Sequence, residues 1–517
     1  MTKLKELSII IASLKEDEVK SLQRYIHCFE ASGENREQKS ERLLNLLIQN
    51  NQFELRTFES KFSKHAFSMH VLRLYDKVLE VLTLDMNIRR PEIYNEVTTA
   101  KLFVRKRLMS TIALGTKNHI LETIAIYQKC VATCKEFELY DELLICMHEL
   151  MNLYAALSRH TEFEALEKEI QHYEEIRVQV KRAYHIYNKY TMERVLYPED
   201  KRLETELEHL LPSLKSYYLI SQSAQVGWFY YRLLVEFHND KQNLVEGYNA
   251  CNALLKLQLE SPSIRTNRYL AMTHRELANI SMHLYNFDES LLSILKAQNM
   301  ERDIKRNMDI TKEKEFFVYF YKGGISDARY IVNDLYDKTN VEESKFQQSR
   351  YSYYKAACAF VNGTFREVSQ LLGETREVEK DKEGWNIAVR ILSILNQIET
   401  QEFDLADSRI ESMRKYIERT LKEKDIRPRF ILVLRLLRDL VNSSFNYEQI
   451  WQTRQSLFSL LMDDSDNTHR WKIMTPELIR FDVWFEAKAT GKSYTQVFAA
   501  RMEASRERIK QSFSKAV

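Results

Sequence analysis

From Ala66 to Asp85 the apolar residues Val71, Leu72, Tyr75, Val78, Leu79 and Leu82 recur three and four apart, which predicts one long amphipathic helix with those side chains inward. The same spacing places Val19, Leu22 and Ile26 on one face of a helix opened by Ser13-Leu-Lys-Glu16, a capping-box spacing. Leu43, Leu44, Leu46 and Leu47 mark the next helix, and Asn51-Gln-Phe-Glu54 repeats the cap spacing ahead of a short one to about Phe62. Residues 1–88 therefore read as a helical bundle. The leading MTKLKELSIIIASL has two lysines and a short apolar run that stops at Lys15 with no cleavage pattern after it, so an amphipathic helix is expected there rather than a leader. No uncharged apolar run reaches about 18 residues, so no membrane span is expected.

Beyond residue 118 a longer rhythm sets in. Turns recur with an apolar residue just before a second helix and often a small residue three places on: Leu244 and Gly247, Phe287 and Ser290, Ile325 and Ala328, Phe365 and Val368, Phe403 and Ala406, Tyr447 and Ile450, four of the six with Gly, Ser or Ala in second place. The spacings are 43, 38, 40, 38 and 44 residues, and Tyr140 with Leu143 is an earlier member. A period near 40 is one hairpin of two helices, each about 15–18 residues or roughly 25 Å long. Such a hairpin cannot bury its own apolar face and must stack on its neighbours. Local contacts are expected to supply nearly all of that packing. Pro428 and Thr475-Pro476-Glu477 read as helix starts, and Pro212 as the end or kink of a helix near Leu211.

Composition agrees with an all-α chain. The 517 residues include 10 Gly and 6 Pro, where average usage would give roughly 36 and 26. The 76 basic and 74 acidic residues leave a net charge of +2, with no global pull toward nucleic acid or an anionic surface. Six scattered cysteines fit a reducing compartment better than a disulfide framework, so a cytoplasmic location is expected.

One stretch, ELANISMHLYNFDESLLSILKA (276–297), resembles a tetratricopeptide repeat. Leu277-Ala278 opens the pattern, Leu284 and Tyr285 lead to the turn, Phe287-Asp-Glu-Ser290 opens the second helix, and Ile294 and Ala297 finish it. Ala278 and Ser290 are small where the two helices would cross. A leucine there would overpack the crossing by roughly 1–3 kcal/mol. Gly323 and Gly363 repeat the family's turn glycine. The resemblance covers 119–465 and implies a tetratricopeptide-like superhelical solenoid of about eight hairpins there, preceded by the N-terminal bundle (1–88) and a basic connecting helix (89–118) and followed by C-terminal capping helices (466–517).

No phosphate loop, dinucleotide fingerprint, zinc-protease motif or nucleophile elbow occurs, so no enzyme activity and no cofactor are expected. Cys130 and Cys134 read as a buried helix face, Asp463, Asp464 and Asp466 as a solvated turn, and His148, His160 and His172 as unconnected histidines. Two features carry possible function. In the family the first helix of each hairpin lines the ligand groove, which implies that Arg232, Arg275 and Asn279 hold a carboxylate, with Tyr353 as an aromatic anchor in the same register. Glu236, four residues after Arg232, offers an intrahelical ion pair instead. The expected partner is then a protein or peptide with an acidic or C-terminal carboxylate group. The second feature is 89–118, where Arg89, Arg90, Lys101, Arg105, Lys106, Arg107 and Lys117 outnumber Glu92 and Glu96 for a local net of +5. With the helices before it, this segment suggests an alternative: a peptide-responsive regulator whose N-terminal bundle binds nucleic acid.

Overall fold

A computed structural model of the chain describes residues 3–14, 16–30, 39–49, 52–84, 95–197, 200, 202–301, 305–338, 345–376, 384–421, 428–463 and 468–516. Among these residues every regular element is a helix and none is a strand. The contacts divide the chain into two compact units, Met1–Tyr94 and Asn95–Val517.

The first unit holds α1 (Lys3–Ser13), α2 (Glu16–Glu30), α3 (Lys39–Ile48), α4 (Gln52–Glu59) and α5 (Lys64–Leu84). Leu7, Ile11, Leu22, Ile26, Leu43, Leu44 and Phe58 meet α5 in one core. The buried stripe of α5 is Phe67, Val71, Leu74, Val78 and Val81, while Leu72 and Leu79 face solvent. The apolar residues of this helix cover more than half its circumference, so periodicity alone offered two stripes, and packing against α1, α2 and α3 selected the neighbouring one. Ser13 does not open α2; its hydroxyl donates to the Ile10 carbonyl and closes α1.

The second unit opens with α6 (Glu96–Gly115), whose N-cap Asn95 accepts the Thr98 N–H at 2.9 Å. Among the described residues eight hairpins follow: α7 (Ile120–Glu136) with α8 (Tyr140–Ala156), α9 (His160–Leu196) with α10 (Arg202–Ser221), α11 (Ala224–Asp240) with α12 (Leu244–Glu260), α13 (Asn267–His283) with α14 (Phe287–Met300), α15 (Lys305–Lys322) with α16 (Ile325–Lys338), α17 (Lys345–Val361) with α18 (Phe365–Gly373), α19 (Trp385–Glu399) with α20 (Phe403–Leu421), and α21 (Pro428–Asn442) with α22 (Tyr447–Thr453). Each helix packs on the next along the chain, which is a helical-repeat solenoid. Below, the first helix of a hairpin is its A helix and the second its B helix. The 37 residues of α9 make it twice the expected length, and α10 runs through Pro212 because Leu207, Leu211 and Leu214 are buried on both sides of it.

The turn rhythm has a backbone cause. Two residues before α8, α12, α14, α16, α18 and α20 the chain enters the left-handed region, at Glu138, Gln242, Tyr285, Gly323, Gly363 and Gln401. The residue after it donates its N–H back to the last turn of the A helix, as Asn286 does to the Ser281 carbonyl at 2.8 Å and Gly324 to Tyr319 at 2.9 Å. In the 276–297 hairpin Ala278 and Ser290 are fully buried, and the Ser290 hydroxyl donates to the Ala278 carbonyl at 2.7 Å. The crossing is close enough for side chain to meet backbone, which is why neither position admits a larger residue.

Local packing does not account for the end of the chain. After α23 (Gln455–Met462) come an irregular stretch from Thr468, then α24 (Phe481–Thr490) and α25 (Tyr494–Ala516). Pro476 starts no helix. The stretch around it lies against the A helices of hairpins more than a hundred residues earlier: the Tyr353 hydroxyl donates to the Pro476 carbonyl at 2.6 Å, and the Met474 N–H donates to the Tyr321 hydroxyl at 3.1 Å.

Candidate functional site

The A helices place one register of side chains side by side, and two halves of that face differ. Around α11, α13 and α15 the face is charged. Arg232 on α11 meets Glu276 on α13 at 3.3 Å, with its side chain 18% exposed. Glu236, one turn on, faces Arg194 of α9 at 3.6 Å, and Arg194 also grips both oxygens of Asp240 at 2.9 Å. Arg275 pairs with the buried Glu301, which also accepts from the Asn307 amide at 3.0 Å. Lys314 on α15 reaches the Asn279 side-chain oxygen at 3.5 Å. Arg350 on α17 pairs with Glu313 at 3.0 Å, and the Tyr354 hydroxyl donates to the same carboxylate at 2.8 Å.

Burial acts against the charge on Arg232, but Glu276 and Glu236 outweigh it and its pKa is raised. Burial pushes Glu236 up against the pull of Arg232, and it pushes Lys314 down against the pull of Glu276. The face is thus a ladder of cross-helix pairs in which Lys314 is held by an amide rather than a carboxylate at hydrogen-bond range.

Of the residues singled out from the sequence, Arg232, Arg275 and Asn279 share this charged half. Tyr353 does not. It is 2% exposed, stacked edge-on to Trp385 at 5.9 Å and bonded to Pro476. Around it the A-helix face is apolar and covered. Trp471 meets the Tyr321 ring edge-on at 5.5 Å, and Phe498 of α25 lies over Tyr321 at 6.2 Å. The cover is fixed by a buried ionic cluster. Arg429 binds Glu477 through two nitrogens, at 2.6 and 2.9 Å, and Asp482 at 2.6 Å, and Arg480 binds the other Asp482 oxygen at 2.6 Å. Burial raises the Asp482 pKa, yet Arg480 and Arg429 override it and hold the carboxyl down at about 2. Trp484 and Lys488 both end on Glu399, at 2.7 and 2.5 Å.

Lys314, Glu276 and Glu313 did not stand out in the sequence. The register count that aligns Arg232, Arg275 and Tyr353 would have found them, because Glu313 holds the same place before Ile325 and Glu276 and Lys314 lie one residue further on.

The basic connector behaves differently. Arg105 binds the buried Glu142 of α8 at 2.8 Å and Lys101 approaches it at 3.6 Å. Arg107 and Lys129 flank the Phe103 ring. Lys106 shares α6 with them, while Arg89 and Arg90 lie outside the described residues. Cys130, Cys134 and Cys146 are fully buried between α7 and α8, where contact with the Cys146 thiol and burial push Cys130 up; Cys130 pulls Cys146 down, but Cys134 and burial outweigh it and leave Cys146 raised to about 12. Among the described residues no His, Cys, Asp and Glu group has the makings of a metal site, and no helix is long and apolar enough to cross a membrane.

No family model matches this chain, and no curated protein matches it. Among solved structures, a chain of the assembly described as "Structure of Naa15/Naa10 bound to HypK-THB" aligns over 95% of this chain and 81% of its own, at 12% identity and a TM-score of 0.19. The fold and site therefore stand on this chain's own geometry.

Proposed function

We propose that the chain is a non-enzymatic scaffold that captures a protein or peptide segment on the charged half of its A-helix face. The observation that carries this is the contrast along one face. Around Tyr321 and Tyr353 the face already holds an irregular stretch of polypeptide, gripped through main-chain groups at Met474 and Pro476. Around Arg232, Arg275, Asn279 and Lys314 the same face remains part-exposed; Glu276 and Glu301 hold the two arginines in place, and Lys314, which meets the Asn279 amide rather than a carboxylate, is the donor suited to an acidic side chain or a terminal carboxylate. Nucleic-acid binding has less support, since Lys101 and Arg105 are engaged by Glu142.

The test is fluorescence anisotropy with peptides ending in a free carboxylate and the same peptides amidated. The scaffold reading expects the free-acid forms to bind more tightly. It expects an Arg232→Ala/Asn279→Ala variant, melting like wild type, to lose about tenfold or more in affinity. Equal binding of both forms, or an indifferent variant, removes it.

A further inference from the structure

A second site lies on another part of the solenoid. The B helix α18 has 9 residues, where α14 and α16 have 14 and α20 has 19. It ends at Gly373, and a cavity of about 330 Å³ opens between α18, α19 and α20.

The α19 face that lines it is unlike the rest of that helix. Ile387, Ala388, Ile391, Leu392, Ile394, Leu395 and Ile398 are buried and apolar. Against them runs a polar stripe, Asn386, Arg390, Ser393 and Gln397, at steps of four, three and four residues, with Asn396 beside it. A polar stripe in so apolar a helix costs desolvation unless it has partners. Part of it has them. Gln397, with its amide oxygen turned inward, accepts from Arg409 Nε at 2.6 Å and Nη2 at 3.2 Å, and Ser393 accepts from Arg409 Nη1. The Asn396 amide nitrogen donates to Ser369 at 2.8 Å, but its Oδ1, in a residue 2% exposed, has no hydrogen-bond partner among the described residues.

The electrostatics point to an anion. Arg376, Arg390 and Arg409 line the cavity, and no Asp or Glu is among the described residues that do. Arg376 and Arg409 make no ion pair among the described residues, whereas Arg194, Arg232, Arg275, Arg350 and Arg429 each have a carboxylate. Glu374, close in sequence, is turned away: it accepts from the Tyr336 hydroxyl at 3.4 Å and from Ser352 at 3.3 Å.

One guanidinium fork suffices for a carboxylate, which has two oxygens. Two guanidinium forks, from Arg376 and Arg409, suit a dianion with three equivalent oxygens better than a carboxylate, while Arg390 lies beside them over the Tyr416 ring at 4.6 Å. The cavity is also larger than a bare anion needs, within the range of small-ligand sites. Leu372 and Val389 give it apolar wall, and the Asn396 Oδ1 calls for a hydroxyl or amine donor.

We infer that this cavity binds a small phosphomonoester carrying a hydroxyl or amine. The site is separate from the A-helix face and does not depend on the scaffold reading. The experiment is calorimetric titration of the full chain with glycerol 3-phosphate, inorganic phosphate and acetate at matched ionic strength, beside sedimentation with vesicles containing phosphatidic acid. Glycerol 3-phosphate should saturate a single site, at least about tenfold tighter than acetate. Arg409→Gln and Arg376→Gln should each weaken it by about tenfold or more, and the Arg376 variant, whose side chain makes no ion pair among the described residues, should keep the wild-type melting temperature. Asn396→Leu should weaken glycerol 3-phosphate more than inorganic phosphate. Absence of saturable binding, equal affinity for acetate, indifference to both arginines, or binding to the vesicles in preference to the free ester would each overturn the inference.

Discussion

The A-helix face ends in two different states along its length. Around α11, α13 and α15 it carries Arg232, Glu276, Asn279 and Lys314, part-exposed and paired across helices. Around α15, α17 and α21 it carries Tyr321, Tyr353 and Arg429, and the chain's own residues from 468 onward cover it. The difference teaches that a repeat's register sets where side chains point, while the residue type at that register decides what settles on them. Aromatic positions recruit apolar cover and bury it. Charged positions neutralise one another and stay at the water boundary, since removing both partners from water costs several kcal/mol.

The covered half should respond most to substitution. Asp482→Asn leaves Arg429 and Arg480 sharing Glu477 in a buried site, and should cost about 3–5 kcal/mol in chemical denaturation. The same carboxyl gives an acid limb. Its folded pKa of about 2 lies below the unfolded value near 3.9, so the folded state binds fewer protons. The stabilisation is present above about pH 4 and is lost as pH falls toward 2; thermal melts from pH 5 to pH 2 should show it, and Asp482→Asn should flatten that limb. Tyr353→Phe removes one donor and leaves the Pro476 carbonyl buried without it, for about 1–3 kcal/mol. Arg232→Ala in the charged half should cost only about 1 kcal/mol or less, because its partner is near water. If Arg232→Ala proves as damaging as Asp482→Asn, the two halves are not different in kind. The smallest effect tests what they share. Gln242 in the α11–α12 turn and Gln401 in the α19–α20 turn sit at positive φ, and glycine at either should gain up to about 1 kcal/mol, equally in both regions.

How much of this was legible follows from range. The hairpin rhythm was readable because each turn is made of adjacent residues: Phe287 and Ser290 at a helix start, Gly323 and Gly363 at positive φ. Arg232, Arg275 and Asn279 could be aligned by counting back from those turns. The wall behind Tyr353 could not. Pro476 looks like a helix start by its neighbours, yet its carbonyl is spent on a hydroxyl 123 residues away. The buried stripe of α5 was misplaced by one position for a similar reason, since Leu72 and Leu79 are as apolar as Leu74 and Val81 and only the packed neighbours tell them apart.

The amino-acid pattern by itself determined an all-helical chain, the period of its hairpins and the register of one face, because helix periodicity and turn conformation depend on residues within a few positions of each other. The tertiary structure alone decided which part of that face is covered, which arginines are neutralised and which are left lining a cavity. Those outcomes depend on the meeting of segments far apart in the chain, where charge, burial and shape are settled together.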